Sequence, residues 1–185
     1  FPLTRSVQNR QVGILGMGRI GETIAKRASG FDATIHYHSR TPKDVDYIYH
    51  STVKELADAV DVLFVITPGG ASTYHLVNDE VMNALGAEGM LINVARGSVV
   101  DETALIAALQ DGRLGSAGLD VFEQEPKIPD ALKAMENVVL LPHVGSASVE
   151  TRQAMGDLTC ENLERYMQDG TVVTPVPECA ALNRK

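Results

Sequence analysis

Four residues could do chemistry together, and each stands just after a short apolar run. Arg96 closes Asn93-Val-Ala-Arg96-Gly97, Asp120 and Glu125 lie in Leu119-Asp120-Val-Phe-Glu-Gln-Glu125-Pro126, and His143 sits in Leu141-Pro142-His143-Val-Gly145. The set suits reduction of a carbonyl. Hydride transfer leaves an alkoxide that needs a proton, and an imidazole can supply it. A carboxylate beside that imidazole keeps it protonated and oriented. An arginine matches the carboxylate of a 2-oxo acid, which it can hold bidentately. Singly, each residue has an ordinary alternative: a structural histidine, a loop arginine, a Glu-Pro turn.

The elements that must position them follow from hydrophobic spacing. Strands are expected at Val12–Leu15, 33–37, 61–66, Met90–Asn93, 115–120 and 137–140, as near-continuous apolar runs. Helices are expected from Arg19 to Ser29 with Gly30 as a stop, from a Ser51 or Thr52 cap to Ala59, over 78–85, from an Asp101 cap to Asp111-Gly112, and over 148–167. The last carries Met155, Leu158, Leu163, Tyr166 and Met167 on one side. The tail from Thr171, with Pro175 and Pro177, reads as extended. Alternating strands and helices with apolar strands imply a parallel sheet covered on both faces. Ligands of such sheets sit outside the carboxyl ends of the strands, where the four residues would converge.

Gly16-Met-Gly18-Arg19-Ile20-Gly21 is a GxGxxG between the first strand and the first helix. In that setting the glycines permit a tight turn, approach of a pyrophosphate and close helix packing, and the helix amides face the phosphates. An acidic residue to hold the ribose is expected about 20 residues later. His38, Ser39 and Arg40 stand there instead. A carboxylate would repel a 2′-phosphate, whereas a hydroxyl and a guanidinium would bind it. The expected cofactor is therefore NADP(H) in preference to NAD(H).

The 185 residues suffice for one sizeable core, and 44% hydrophobic with 22% charged residues is an ordinary globular composition. A net charge of −8 argues against nucleic acid or an anionic membrane as partner. Cys160 and Cys179 form no CxxC pair and stand beside no histidine cluster, so neither a disulfide framework nor a metal site is expected. A reducing, cytoplasmic location fits this usage. No apolar run approaches the roughly 20 residues that span a bilayer, and no signal peptide is visible. The chain starts at Phe1, which suggests a fragment or a processed chain.

Taken together, VGILGMGRIG, LINVARGSVVDETALIAAL, GLDVFEQEP and LLPHVGSAS resemble the D-isomer-specific 2-hydroxyacid dehydrogenases, over about Val12 to Met167. The resemblance implies a Rossmann-type doubly wound α/β sheet over residues 1–167. It also implies a C-terminal tail, 168–185, that returns to a substrate domain preceding Phe1 and is loose without it. Arg96 resembles the arginine that binds substrate carboxylate and carbonyl, His143 the acid/base, and Glu125 its carboxylate partner. Asp120 resembles the aspartate near the nicotinamide. Ile66-Thr67-Pro68-Gly-Gly70 resembles a cofactor-contacting loop, and Ala95, Arg96, His143 and Gly145 complete the implied cofactor contacts. The His38-Ser39-Arg40 and Pro68-Gly69-Gly70 stretches are most similar to the glyoxylate and hydroxypyruvate reductase branch. Ser148 stands where the family usually has threonine.

The implied function is reduction of a small 2-oxo acid to a 2-hydroxy acid by a homodimer whose isolated fragment has little activity. A dinucleotide-sensing co-regulator of the same fold is the alternative. A relative acting on formate or phosphite is a third reading, and Glu125 weighs against formate.

Overall fold

A computed structural model of the protein describes residues 5–183. The chain divides into two compact units, residues 1–143 and 144–185.

The first unit is built on seven parallel strands: β1 Gln11–Leu15, β2 Thr34–His38, β3 Ile48–Tyr49, β4 Val62–Val65, β5 Met90–Asn93, β6 Ser116–Leu119 and β7 Val138–Leu140. Their order in the sheet is β3-β2-β1-β4-β5-β6-β7. The winding reverses between β1 and β4, which pair in register Val12 with Val62 through Leu15 with Val65. That reversal is the place where doubly wound sheets open a crevice at their carboxyl ends. Helices α1 Arg19–Ser29, α2 Val53–Asp58, α3 Asp79–Leu85, α4 Glu102–Gln110 and α5 Asp130–Lys133 join the strands.

Burial explains why the strands carry apolar runs rather than alternation. One core packs Leu56, Leu63, Val65, Met82, Leu91, Leu105 and Leu114 between the central strands and α2, α3 and α4. A second packs Ile14, Met17, Ala25, Ile35 and Tyr37 beneath α1. Each fully buried aliphatic side chain of this size contributes roughly 1.5–3 kcal/mol.

The helix starts are fixed by side-chain caps. Thr52 forms a capping box with Glu55, whose carboxylate also accepts from the Ser51 amide, so both candidate caps are engaged. Asn78 caps α3 and Asp101 caps α4. Such caps are typically worth about 1 kcal/mol each. Gly30 ends α1 in a right-handed conformation, and Asp32 takes the left-handed one.

The second unit holds α6, Val149–Asp169, capped by Ser148 and closed by Gly170 in the left-handed region. Its apolar side is exposed, from Leu158 at 39% to Met167 at 78%. The tail is not extended as expected. Residues Pro177–Asn183 form a 3-10 helix. Asn183 exchanges hydrogen bonds with the Val172 backbone, and Asn162 bonds both the amide and the hydroxyl of Thr174. Proline suits a first helical position, and the two asparagine amides capture backbone groups that an extended tail leaves to water.

Candidate active site

The loop after β1 is shaped by three glycines with different constraints. Gly16 has φ +110°, a conformation side chains rarely adopt, and a β-carbon there would stand 2.8 Å from the Thr67 amide nitrogen. A β-carbon on Gly21 would stand 2.2 Å from the Gly16 carbonyl oxygen, so helix and loop touch backbone to backbone. Gly18, the N-cap of α1, faces open space and offers no capping side chain. Arg19 and Ile20 are exposed while Met17 is buried. The first amides of α1 thus meet an open, uncapped surface, which fits a pyrophosphate.

At the end of β2, His38 donates from Nδ1 to the His50 carbonyl at 2.9 Å and stacks on Tyr49. Behind it, His36 links Gln11 and His50 at 2.8 and 2.9 Å. The Ser39 hydroxyl donates to the Thr41 carbonyl at 2.7 Å, so its proton serves the local turn. Arg40 is exposed.

The loop after β5 begins with Asn93, which is 1% exposed. Its side chain accepts from the Ala95 amide and donates to the Arg96 carbonyl, at 3.1 and 3.2 Å. Arg96 therefore leaves the strand on a fixed turn, with its guanidinium on the Ala95 carbonyl at 2.6 Å. Its aliphatic stem lies over Gly69, where a β-carbon would be 2.8 Å from Arg96 Cγ. Thr67 and Pro68 precede that glycine. The Pro68 carbonyl accepts from the Thr73 hydroxyl at 2.8 Å.

After β6, Asp120 is buried, and its amide bonds the Asn93 carbonyl at 3.0 Å. Glu125 follows, with a cis peptide bond to Pro126. One Glu125 oxygen accepts from the Phe122 amide at 3.1 Å, and the other meets His143 Nδ1 at 2.8 Å. The hydrogen bond from His143 holds the Glu125 carboxyl below its usual range, aided by the Phe122 amide and the charges of His143 and Arg96. His143 itself has φ +57°, left-handed for a non-glycine residue. Gly145 belongs to the second unit.

Successive contacts run from the glycine loop to the arginine, Gly16 against Thr67 and Gly69 against Arg96, while Glu125 is bonded to His143 and feels the Arg96 charge. The geometry can orient a proton donor against a carboxylate, with the uncapped amides of α1 available to a phosphate. Asn93, Gly69 and Gly97 stand within the quoted motifs but were assigned no individual part. Their signals are a polar residue ending a buried apolar strand and glycines flanking the arginine in space or sequence. Among the described residues no group of His, Cys, Asp and Glu could hold a metal ion, and no helix is long and apolar enough to cross a membrane.

Comparison with known proteins agrees with this layout. The chain is 55% identical over 177 residues to glyoxylate/hydroxypyruvate reductase A of Arabidopsis thaliana, covering 95% of this chain and 56% of that protein. It is 51% identical over 177 residues to hydroxyphenylpyruvate reductase of Plectranthus scutellarioides, with the same coverage. The crystal structure of an NADPH-dependent glyoxylate/hydroxypyruvate reductase from Sinorhizobium meliloti, in complex with NADP and malonate, superposes with a TM-score of 0.94 at 53% identity. That match covers 96% of this chain and 56% of the other. The chain thus spans about half the length of the relatives it matches. Residues 1–145 match the family described as D-isomer specific 2-hydroxyacid dehydrogenase, NAD binding domain, and the chain belongs to that family.

Proposed function

We propose that this chain is the cofactor-binding part of a two-domain reductase that converts a small 2-oxo acid, of the glyoxylate or hydroxypyruvate kind, to its 2-hydroxy acid with NADPH. The observation that carries the reading is the 2.8 Å contact between His143 and Glu125, whose carboxylate also feels Arg96. The relatives from Arabidopsis thaliana and Sinorhizobium meliloti, named as reductases of these acids, support the substrate class.

In this reading Gly16, Gly18 and Gly21, with the amides of Arg19 and Ile20, hold the pyrophosphate. His38, Ser39 and Arg40 receive the ribose end, with the Ser39 oxygen as acceptor because its proton is engaged. Thr67, Pro68, Ala95 and Asp120 line the nicotinamide end. NADPH, when bound, supplies the hydride. Arg96 turns from the Ala95 carbonyl to the substrate carboxylate and polarises the oxo group. His143 gives a proton to the oxygen as the carbon gains hydride, and Glu125 stabilises the charged imidazole and fixes its ring. Residues 168–185 return to the substrate domain, and the protein works as a cytoplasmic homodimer.

The test is turnover of glyoxylate, hydroxypyruvate and a panel of bulkier 2-oxo acids by the full-length protein with NADPH and with NADH. Stoichiometric oxidation of NADPH with glyoxylate or hydroxypyruvate supports the reading. Cofactor binding with no turnover of any 2-oxo acid overturns it in favour of a sensor.

A further inference from the structure

His75 lies outside the residues assigned above, yet it stands in the loop after β4 and touches the segments after β5 and β6. It ends the loop that begins with Thr67 and Pro68, in a left-handed conformation with φ +48°. Its amide donates to the Ser98 carbonyl at 2.9 Å, two residues past Arg96. The pairing continues from the Val77 amide to the Val99 carbonyl and from the Asp101 amide to the Val77 carbonyl, both at 3.0 Å. On the side-chain face, His75 Nε2 meets Glu123 Oε1 at 2.8 Å, two residues before Glu125. Nδ1 lies 3.6 Å from Asp101, the cap of α4. Glu102 closes the far side by accepting from the Glu123 amide at 3.3 Å. Tyr74 stacks flat on the imidazole, with centroids 3.9 Å apart. The imidazole is about a quarter exposed, and two carboxylates meet it, Asp101 and Glu123.

We infer that His75 is a positioning residue: through Glu123 and Asp101 it clasps the loops after β4, β5 and β6, and so fixes Glu125 relative to Arg96. The reach is short. Glu123 and Glu125 flank one residue, and the backbone at 122–123 already rests on Gly97, where a β-carbon would be 1.9 Å from the Phe122 carbonyl carbon. Releasing the clasp lets that loop lift without breaking any residue assigned to substrate or cofactor. A misplacement of about 1 Å in an active site can cost about a hundredfold in rate.

This inference rests on the reductase reading, and the experiment separates the two. The variants are His75→Asn, which tolerates the left-handed backbone but falls short of Glu123, together with Glu123→Ala and the double variant. In the full-length protein, each single variant should lower kcat with the oxo acid about ten- to a hundredfold, with NADPH affinity unchanged within about twofold. The double variant should lose no more than the worse single, the mark of residues acting together. Glu123→Gln, which keeps an acceptor oxygen, should restore most of the rate. Independently of turnover, hydrogen exchange at the Phe122 amide, which is bonded to Glu125, should quicken in His75→Asn. A folded His75→Asn protein with full kcat, or additive losses in the double variant, overturns the clasp even if melting temperature falls. Absence of turnover in the parent overturns the reductase reading instead, while unchanged Phe122 exchange in His75→Asn still overturns the clasp.

Discussion

Gly97 lies directly beneath Phe122, so close that a β-carbon on it would meet the Phe122 carbonyl oxygen at 2.0 Å and the Glu123 amide nitrogen at 2.3 Å. All three neighbours are backbone atoms, which cannot swing aside. Gly97→Ala must therefore move one of the two loops. Forced overpacking of this kind typically costs about 1–3 kcal/mol, and each kcal/mol lowers the melting temperature of a domain this size by about 2–4 °C. Because the displaced segment holds Glu125, kcat should fall with it. Equilibrium unfolding alongside steady-state kinetics checks both, and a variant as stable and active as the parent would contradict the packing.

His143→Asn keeps a polar side chain but no acid of suitable strength. It should lower kcat by about 10²–10⁴-fold and leave NADPH binding nearly intact. Glu125→Gln tests the partner through stability as well. The native Glu125 carboxyl is held below its ordinary value, chiefly by the His143 bond. Its contribution is therefore complete above the unfolded value of about 4.3 and fades as pH falls through the lower native value. The stability difference between parent and Glu125→Gln should shrink as pH falls below about 4.3. Urea melts across that range measure it. A difference that grows toward acid pH would mean the carboxyl is not stabilised in its charged form.

Arg40 is an exposed charge just after β2, where the proposed function puts the ribose. A charge-assisted bond to a 2′-phosphate is worth roughly 1.5–3 kcal/mol, about a 10- to 100-fold preference for NADPH. Arg40→Ala should remove most of that preference and spare NADH. The preference in the parent should weaken with salt. Adding His38→Asp should turn it toward NADH. Dissociation constants for both cofactors decide this, and equal losses on Arg40→Ala would show that the guanidinium serves neither.

His36 is buried between Gln11 and His50. Burial, with the nearby His50 charge second, holds its imidazole below the ordinary value. A depressed imidazole takes its proton more readily in the unfolded chain. The destabilising term is thus absent above about pH 6.5 and grows as pH falls below it, until the native value is reached. His36→Gln should flatten the loss of stability between about pH 6.5 and 5 relative to the parent. Thermal melts of both proteins across that interval provide the comparison, and parallel curves would remove His36 from the account.

Much of this architecture was legible because local signals and burial agree. Met90–Asn93 is a strand on both counts, and Thr52, Asn78 and Asp101 cap the helices their positions suggest. The strand at Ile48–Tyr49 escaped notice because two residues carry no period. The helix at Asp130–Lys133 is a single turn, too short for a pattern. Gly30 stops α1 as expected, Phe31 still bonds back to Ala28, and the left-handed residue is Asp32. At the site, Arg96, Glu125 and His143 stand out by type and place. Asn93, Gly69 and His75 do not, since their parts depend on contacts across loops, as between His75 and Glu123.

The strand order has a practical corollary. His38 and Arg40 lie at the end of β2, on the flank β3-β2-β1, while Arg96, Asp120, Glu125 and His143 follow β5, β6 and β7 on the opposite flank. From Gly16 the contacts run both ways: to the loop after β4 through Thr67, and to the β2 end through the His38 carbonyl, which accepts from the Gly16 amide at 3.0 Å. For a protein engineer, exchanges of the His38 and Arg40 side chains touch none of the bonds of the Glu125–His143 pair and can be grafted onto its variants.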